Sequence, residues 1–490
     1  MRTALILLFL LALAAMPGAL LPQLSLNARK VDEYVAQHGW WGRFLQKLGF
    51  FEVYATPWFA AIYLMLFVSL IGCLLPRTFE YFKQATAKPV LTPRNLSRLP
   101  HHAQAETDSS PEEVLAEAEQ HLRGWRKQAD ENTISAERGF LRETGNLVFH
   151  FALLGLLVSF AIGKMVGYEG TVIVQANGGQ FCNGGIANYD TFRPGLRVDG
   201  SDLTPLCVKV DDFKAEYLPN GQAKSFHAGI GYQSGEDLES GTWRPFDLEV
   251  NHPLRTAGDR VYLQGHGYTP QFTVTFPNGV KRTSATQWVP VDPVTLASEG
   301  AAKFDPPNIT DPEQRRKNQL AVTGLFAPSS AMHGSILTSN FPALNNPMVA
   351  VDVYRGDLGT DDGRGQSIFS IDKSLVDQGR LTKVARKNLA VGDELSLDDG
   401  TRIRFDGVND WVSLQISHDP SQVWVLLFAV LIIVGLGVSL TVKRRRFWVR
   451  ATRQDDGRTL VEAGGLARTD QAGYGEEFTR LATSLLIKET

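Results

Sequence analysis

Four stretches of this 490-residue chain run without charge for long enough to cross a bilayer: Thr3–Leu21, Trp58–Leu75, Asn146–Gly163 and Val423–Val442. Each has 18 to 20 residues, and a hydrocarbon layer of about 30 Å asks for about 20 at the helical rise. The mean hydropathy of −0.11 therefore averages greasy helices with polar segments. A soluble cytoplasmic enzyme is excluded.

The net charge of −3 hides a similar contrast. Residues 165–421 hold 31 acidic and 23 basic residues, a balance of −8, and the remaining cations gather beside the apolar windows. No segment carries the broad positive field of a nucleic-acid binder. Three cysteines, Cys73, Cys182 and Cys207, exclude a cysteine-rich metal scaffold, and no Cys-x-x-Cys-His is present for covalent haem attachment. The chain is not itself a c-type cytochrome.

Lysine and arginine near helix ends predict which loops face the cytoplasm. After the second window come Arg77, Lys83, Lys88, Arg94 and Arg98, and after the fourth Lys443-Arg444-Arg445-Arg446 with Arg450 and Arg453. Beyond Lys164, in contrast, residues 165–192 have no lysine or arginine, and neither do residues 405–421. This places both termini inside, in a multi-pass plasma-membrane protein. The first window has the basic start and small residues of a signal peptide, but its apolar run exceeds the usual core of about 7–15 residues, so it is read as an uncleaved anchor.

The predicted architecture is a polytopic α-helical membrane protein with four transmembrane helices and a large extracytoplasmic, mostly-β domain. Residues 1–75 hold two spans and a short external loop. Its aromatics, among them Trp40, Trp41 and Phe44, alternate with cations and suit a helix lying on the membrane surface. Residues 76–145 form a cytoplasmic loop with one helix, announced by Ser110-Pro111-Glu112-Glu113, a capping serine with glutamate three residues on. Residues 146–163 and 423–442 are the third and fourth spans, and 443–490 a cytoplasmic tail with a basic start.

Residues 164–422 read as strands. Thr171–Val174, Val261–Gln264, Phe272–Phe276 and Val349–Tyr354 are β-branched and aromatic. Pro219-Asn220-Gly221, Pro277-Asn278-Gly279, Asp361-Asp362-Gly363 and Asp398-Asp399-Gly400 supply turns. A β-sandwich or open barrel is expected. The stretch 284–339, rich in proline, serine and alanine, is read as a long insertion or mobile loop.

This outer domain shows no nucleophile elbow, His-Glu-x-x-His, Walker loop or dinucleotide fingerprint. His227, His252, His266, His333 and His418 have no second histidine at ligand spacing, and His418 stands out only for its place just before the fourth window. The run 357–362 has no Asp-x-Asp frame and reads as a solvated turn. Cys182 and Cys207 are candidates for a disulfide closing a loop of about 25 residues, which would stabilise the fold by roughly 3 kcal/mol. A redox pair acting on partner thiols is the functional alternative. Cys73 is most simply a packing residue.

His150 resists a bland reading. It lies inside the third window, in Asn146-Leu147-Val148-Phe149-His150-Phe151, and ionisable residues within a span are costly unless a partner, cavity or cofactor meets them. The topology puts it in the cytoplasmic half of the bilayer, about 12 Å past Arg142 along the helix. Leu154, Leu157 and Ala161 share its face, while Gly155, Ser159 and Gly163 form a stripe suited to close helix contact. A neutral imidazole bonded to a neighbouring helix, and a haem or metal ligand, both fit.

Several motifs together resemble the ResB family of cytochrome c maturation. They are Arg94-Asn95-Leu96-Ser97-Arg98-Leu99-Pro100, Gly139-Phe140-Leu141-Arg142-Glu143-Thr144-Gly145 running into His150, and Gly356-Asp357-Leu358-Gly359. Trp58-Phe59 through Leu70-Ile71-Gly72-Cys73, Asp419-Pro420, Gly435-Leu436-Gly437 and Arg444-Arg445-Arg446-Phe447-Trp448-Val449-Arg450 complete the set. The resemblance spans almost the whole chain. It implies a non-catalytic subunit of the system II cytochrome c synthase, a haem lyase complex. With a ResC/CcsA-type membrane partner, that complex passes haem across the membrane and attaches it to apocytochrome c. The tryptophan-rich haem-handling motif is missing here, which implies that the catalytic platform lies on the partner. The family's intramembrane histidine matches His150, making it the candidate axial ligand of a transient, shared haem. A competing function is a membrane-anchored docking module for apocytochrome or a thiol-reducing, thioredoxin-like protein, without a haem ligand of its own. A surface sensor unrelated to haem is a third.

Overall fold

The computed structural model describes residues 2–24, 26, 28–256, 258–360, 363, 367, 369–467 and 471–486. The chain divides into two compact units, Met1–Ala161 with Ser421–Thr490, and Ile162–Pro420.

Each apolar window becomes a helix: the first Arg2–Leu20, the second Pro57–Thr86, the third Leu141–Val166 and the fourth Gln422–Thr441. The last three are long and apolar enough to cross a membrane. The first is a 19-residue helix, within which the described residues Leu5–Leu20 form an apolar helix. It packs on the second helix. Thr56 opens the second helix by accepting a hydrogen bond from the Phe59 amide, with Pro57 at the first position. Leu66, Leu70 and Leu74, four apart, form its buried stripe. Between these helices runs Ala28–Lys47, broken at Gly39 (φ 54) and folded over Val31, Leu45 and Phe51, with Trp40, Trp41 and Phe44 left exposed.

The third and fourth helices cross at two glycines. A Cβ on Gly145 would lie 2.8 Å from the Gly435 carbonyl oxygen, and one on Gly435 would lie 2.7 Å from the Phe149 amide. Farther along, Gly155 accommodates the Phe428 ring, and Ser159 is buried with its hydroxyl on the Gly155 carbonyl at 2.8 Å. The stripe of small residues expected from the sequence thus meets the fourth helix at Gly155, with Gly145 extending the contact.

Residues 101–138 and 445–486, which the sequence presents as a loop with one helix and a basic tail, fold together. Five antiparallel strands lie in the order His101–Thr107, Thr459–Ala467, Arg445–Arg453, Thr133–Arg138, Arg126–Asp130. Pro111–His121 carries the expected capping box, Ser110 with Glu113, and it shares a core with a second helix, Gln471–Leu486, through Val114, Ala118, Tyr474 and Phe478. Here the basic run after the fourth helix is committed. Arg444 bonds Glu143 at 3.0 Å and Glu137 at 3.4 Å, lies over the Phe140 ring at 4.4 Å and is 8% exposed. Arg446 bonds Glu137 at 2.7 Å, while Arg445 and Arg138 both pair with Glu477.

The named strands of the second unit pair antiparallel, and among the described residues no sheet closes on itself. Two 17-residue strands, Asp259–Thr275 and Arg402–His418, pair along their whole length at the centre of a seven-stranded sheet. Register shifts at Leu263/Gly265 and Gln271/Phe272 bend the pair so that it serves two cores. One half packs Val261, Leu414 and Ile416 against Val208, Ile230 and Leu248 of a four-stranded sheet. The other packs Phe272, Val274 and Phe405 against Val322, Val351 and Leu389 of a five-stranded sheet. The unit is thus mostly strand, with open sheets packed about two cores. Gly221, Gly279 and Gly400 take positive φ of 84°, 83° and 87°, so three of the expected turns are hairpin turns. Asp361 and Asp362 lie outside the described residues.

The stretch 284–339 is a correction. It is not a loop but holds the strands Ser298–Phe304 and Leu320–Ala327, the hairpin Ser330–His333/Ile336–Ser339 and the helix Pro312–Lys317. Its small residues serve packing. A Cβ on Gly300 would lie 2.3 Å from the ring of Trp288, which is fully buried. Low side-chain volume there is the complement of one large indole.

Candidate functional site

Gly139 (φ 89) leads into the third helix, and a Cβ on it would lie 2.2 Å from the Lys443 carbonyl oxygen. Only glycine lets the chain turn at that distance. Two tyrosines of the second helix then tie the third. The Tyr81 and Thr144 hydroxyls are 2.6 Å apart, and the Tyr63 hydroxyl donates to the Leu157 carbonyl at 2.6 Å. His150 falls between these ties, about 9 Å from Thr144 and about 10 Å from Leu157 along the axis.

The imidazole is half-buried, with Phe149 edge-on at 5.1 Å. Its Nδ1 lies 2.7 Å from the Asn146 carbonyl oxygen, one turn back. A carbonyl only accepts, so Nδ1 carries a proton, and in the neutral ring Nε2 is then the nitrogen with the lone pair. No described residue of another helix bonds the ring. A bond of this kind satisfies a helical histidine from its own backbone, and the same bond orients histidines that ligate metals through the other nitrogen.

A second polar cluster escaped the sequence reading. Tyr168, two residues past the third helix, His418, four before the fourth, and Asp259 are cross-strand neighbours on three adjacent strands. His418 Nδ1 lies 2.7 Å from Asp259 Oδ1, and the Tyr168 hydroxyl donates to Oδ2 at 2.7 Å. The Tyr168 and His418 rings stack at 5.4 Å, and Asn183 donates to the Tyr168 hydroxyl at 3.2 Å. Asp259 is fully buried; that burial pushes its carboxyl above the usual range although both bonds pull it down. Burial, then Asp259, pushes Tyr168 up to about 12. Beside them is a cavity of about 190 Å³ lined by Arg197, Asp199, Asp202, Thr204 and His418. His418 was the one visible signal. Asp259 was not, because its partnership depends on strand register.

The remaining expected residues are placed separately. His266 is largely buried with Nε2 3.0 Å from the Tyr217 hydroxyl, and burial pulls its pKa down to about 4. The His252 ring lies against Phe246, and His333 is exposed. Cys73 is half-buried inside the second helix.

Cys182 and Cys207 face each other in register across neighbouring strands, joined as a disulfide with Cα atoms 4.1 Å apart. Replacing both with serine is expected to lower stability by about 3 kcal/mol. Peptide mapping without reduction should recover the linked pair, and two free thiols in the mature protein would contradict it.

The model of the ResB-like family matches residues 1–479. Among similar curated proteins are three named "Cytochrome c biogenesis protein CcsB". That of Synechococcus sp. (strain JA-3-3Ab) is 23% identical over 91% of this chain and 79% of its own length. That of Synechococcus sp. (strain CC9605) is 24% identical over 100% and 96%. That of Prochlorococcus marinus (strain MIT 9313) is 28% identical over 100% and 97%. With the family match covering nearly its whole length, this chain belongs to the ResB-like family.

Proposed function

We propose that the chain acts in cytochrome c maturation, as the haem-handling, non-catalytic subunit of a system II synthase in the plasma membrane. The names of its CcsB relatives support the pathway. One observation carries the finer reading: His150 Nδ1 is engaged by the Asn146 carbonyl, leaving Nε2 ready for iron inside an apolar helix. These residues fit haem, since a neutral imidazole ligates iron and the surrounding hydrocarbon suits a porphyrin. Haem would supply the iron and the vinyl carbons to which apocytochrome thiols are joined. Asn146 fixes the tautomer, and the tyrosine ties hold the helix in place. A ResC/CcsA-type partner would supply the attachment chemistry.

In this reading four helices span the membrane, both termini are inside, and the β-unit faces outward. A reporter active only outside the cytoplasm should work when fused near Gly221, and a cytoplasm-only reporter when fused after Arg453. The reverse pattern for either fusion would overturn this topology.

Cells lacking the chain should lose covalently bound haem from their c-type cytochromes while keeping b-type haem. Haem staining of denatured membranes reads this directly. Unchanged c-type staining would remove the chain from maturation altogether.

A further inference from the structure

We propose that His227, Asp247 and Glu249 form a binding site for a divalent transition-metal cation of the zinc type on the β-unit. The three residues lie on two paired strands, Ala223–Ser234 and Arg244–Glu249, with His227 directly opposite Glu249. Asp247 and Glu249 are two apart and so share a face, while the intervening Leu248 is fully buried on the other. Two hydrogen-bonded strands thus present an imidazole and two carboxylates together.

The spacing suits one ion. His227 Nδ1 lies 3.3 Å from Asp247 Oδ2 and 3.6 Å from Glu249 Oε1. One ligand atom from each residue falls within 4.8 Å of the others. Zinc bonds of about 2.0–2.2 Å in tetrahedral geometry separate neighbouring ligands by about 3.3–3.6 Å. Small rotamer adjustments complete the set.

The charge around the cluster also calls for a cation. Among the described residues, neither Asp247 nor Glu249 has a lysine or arginine ion pair; each has only His227. Gly229, opposite Asp247, leaves room for a further carboxylate: a Cβ there would lie 2.2 Å from Asp212 Oδ1. The nearby Lys214 and Lys224 both pair with Glu216, at 2.9 and 3.0 Å. Two carboxylates side by side repel each other, and a divalent ion would relieve this better than one imidazolium. An imidazole ligand favours zinc-type ions over calcium or magnesium, which prefer all-oxygen sites. Three protein ligands leave a fourth position open to water or to a partner's side chain.

Calorimetric titration of the full-length chain, purified in detergent and stripped with EDTA, tests the site with Zn²⁺. One saturable site is expected, weakened by at least about tenfold in His227→Ala and in the isosteric Glu249→Gln. Zn²⁺ should raise the thermal midpoint of the wild type and not of either variant. Mg²⁺ should give no saturable binding. Equal Zn²⁺ binding by wild type and both variants, or none by the wild type, would overturn the site. Mg²⁺ binding as tight as Zn²⁺ would overturn the assigned class of ion.

Discussion

Replacing His150 with alanine is expected to cut holocytochrome c to about a tenth or less while the protein stays in the membrane at its normal level. The separation of these effects follows from the bonding. The ring's hydrogen bond goes to the Asn146 carbonyl of its own helix, so truncation removes a local interaction of about 1 kcal/mol. The contacts that hold the helix, Tyr81–Thr144, Tyr63–Leu157 and Gly145–Gly435, do not involve the ring. Losing a metal ligand, by contrast, leaves an open position on iron. Free imidazole in the medium should restore part of the maturation by filling that position. Normal holocytochrome c in the alanine variant would reduce His150 to a packing residue.

Gly435→Leu should have the opposite profile. Even a Cβ at this position would lie 2.7 Å from the Phe149 amide and 2.8 Å from the Gly145 carbonyl oxygen, all backbone that cannot yield locally. The fourth helix would have to retreat from the third beside the residue preceding His150. Overpacking of this kind costs about 1–3 kcal/mol, and more where backbone meets backbone. Steady-state protein should fall several-fold on immunoblots, with maturation falling in proportion, and imidazole should restore nothing. Normal accumulation of Gly435→Leu would mean that the two helices do not cross at these glycines.

Features whose signal is local are legible in the sequence. Ser110 and Glu113 are three residues apart, and their capping box forms as expected. The Asn-Gly and Asp-Gly turns carry their own geometry. His150 stands out in the sequence because an imidazole in an apolar helix is costly without a partner. Its tautomer was not read, although a carbonyl one turn back is within reach of a helical side chain. What stayed hidden depends on contacts between distant residues. The strand His101–Thr107 pairs with Thr459–Ala467, more than 350 positions away, so loop and tail read as separate pieces. Arg444 read as a membrane flank because its partners, Glu137 and Glu143, are some 300 residues earlier. The stretch 284–339 read as loop because small residues packed against Trp288 have the same composition as a linker.

The central claim is that His150 Nε2 binds haem iron, and an electronic spectrum tests it most directly. The chain should be purified with its ResC/CcsA-type partner, as wild type and as His150→Cys, and their Soret bands and low-temperature electron paramagnetic resonance compared. A ligand swap from imidazole to thiolate changes both. The account predicts an imidazole-type signature in the wild type and a thiolate-type signature in the variant. Identical spectra from the two proteins would contradict it.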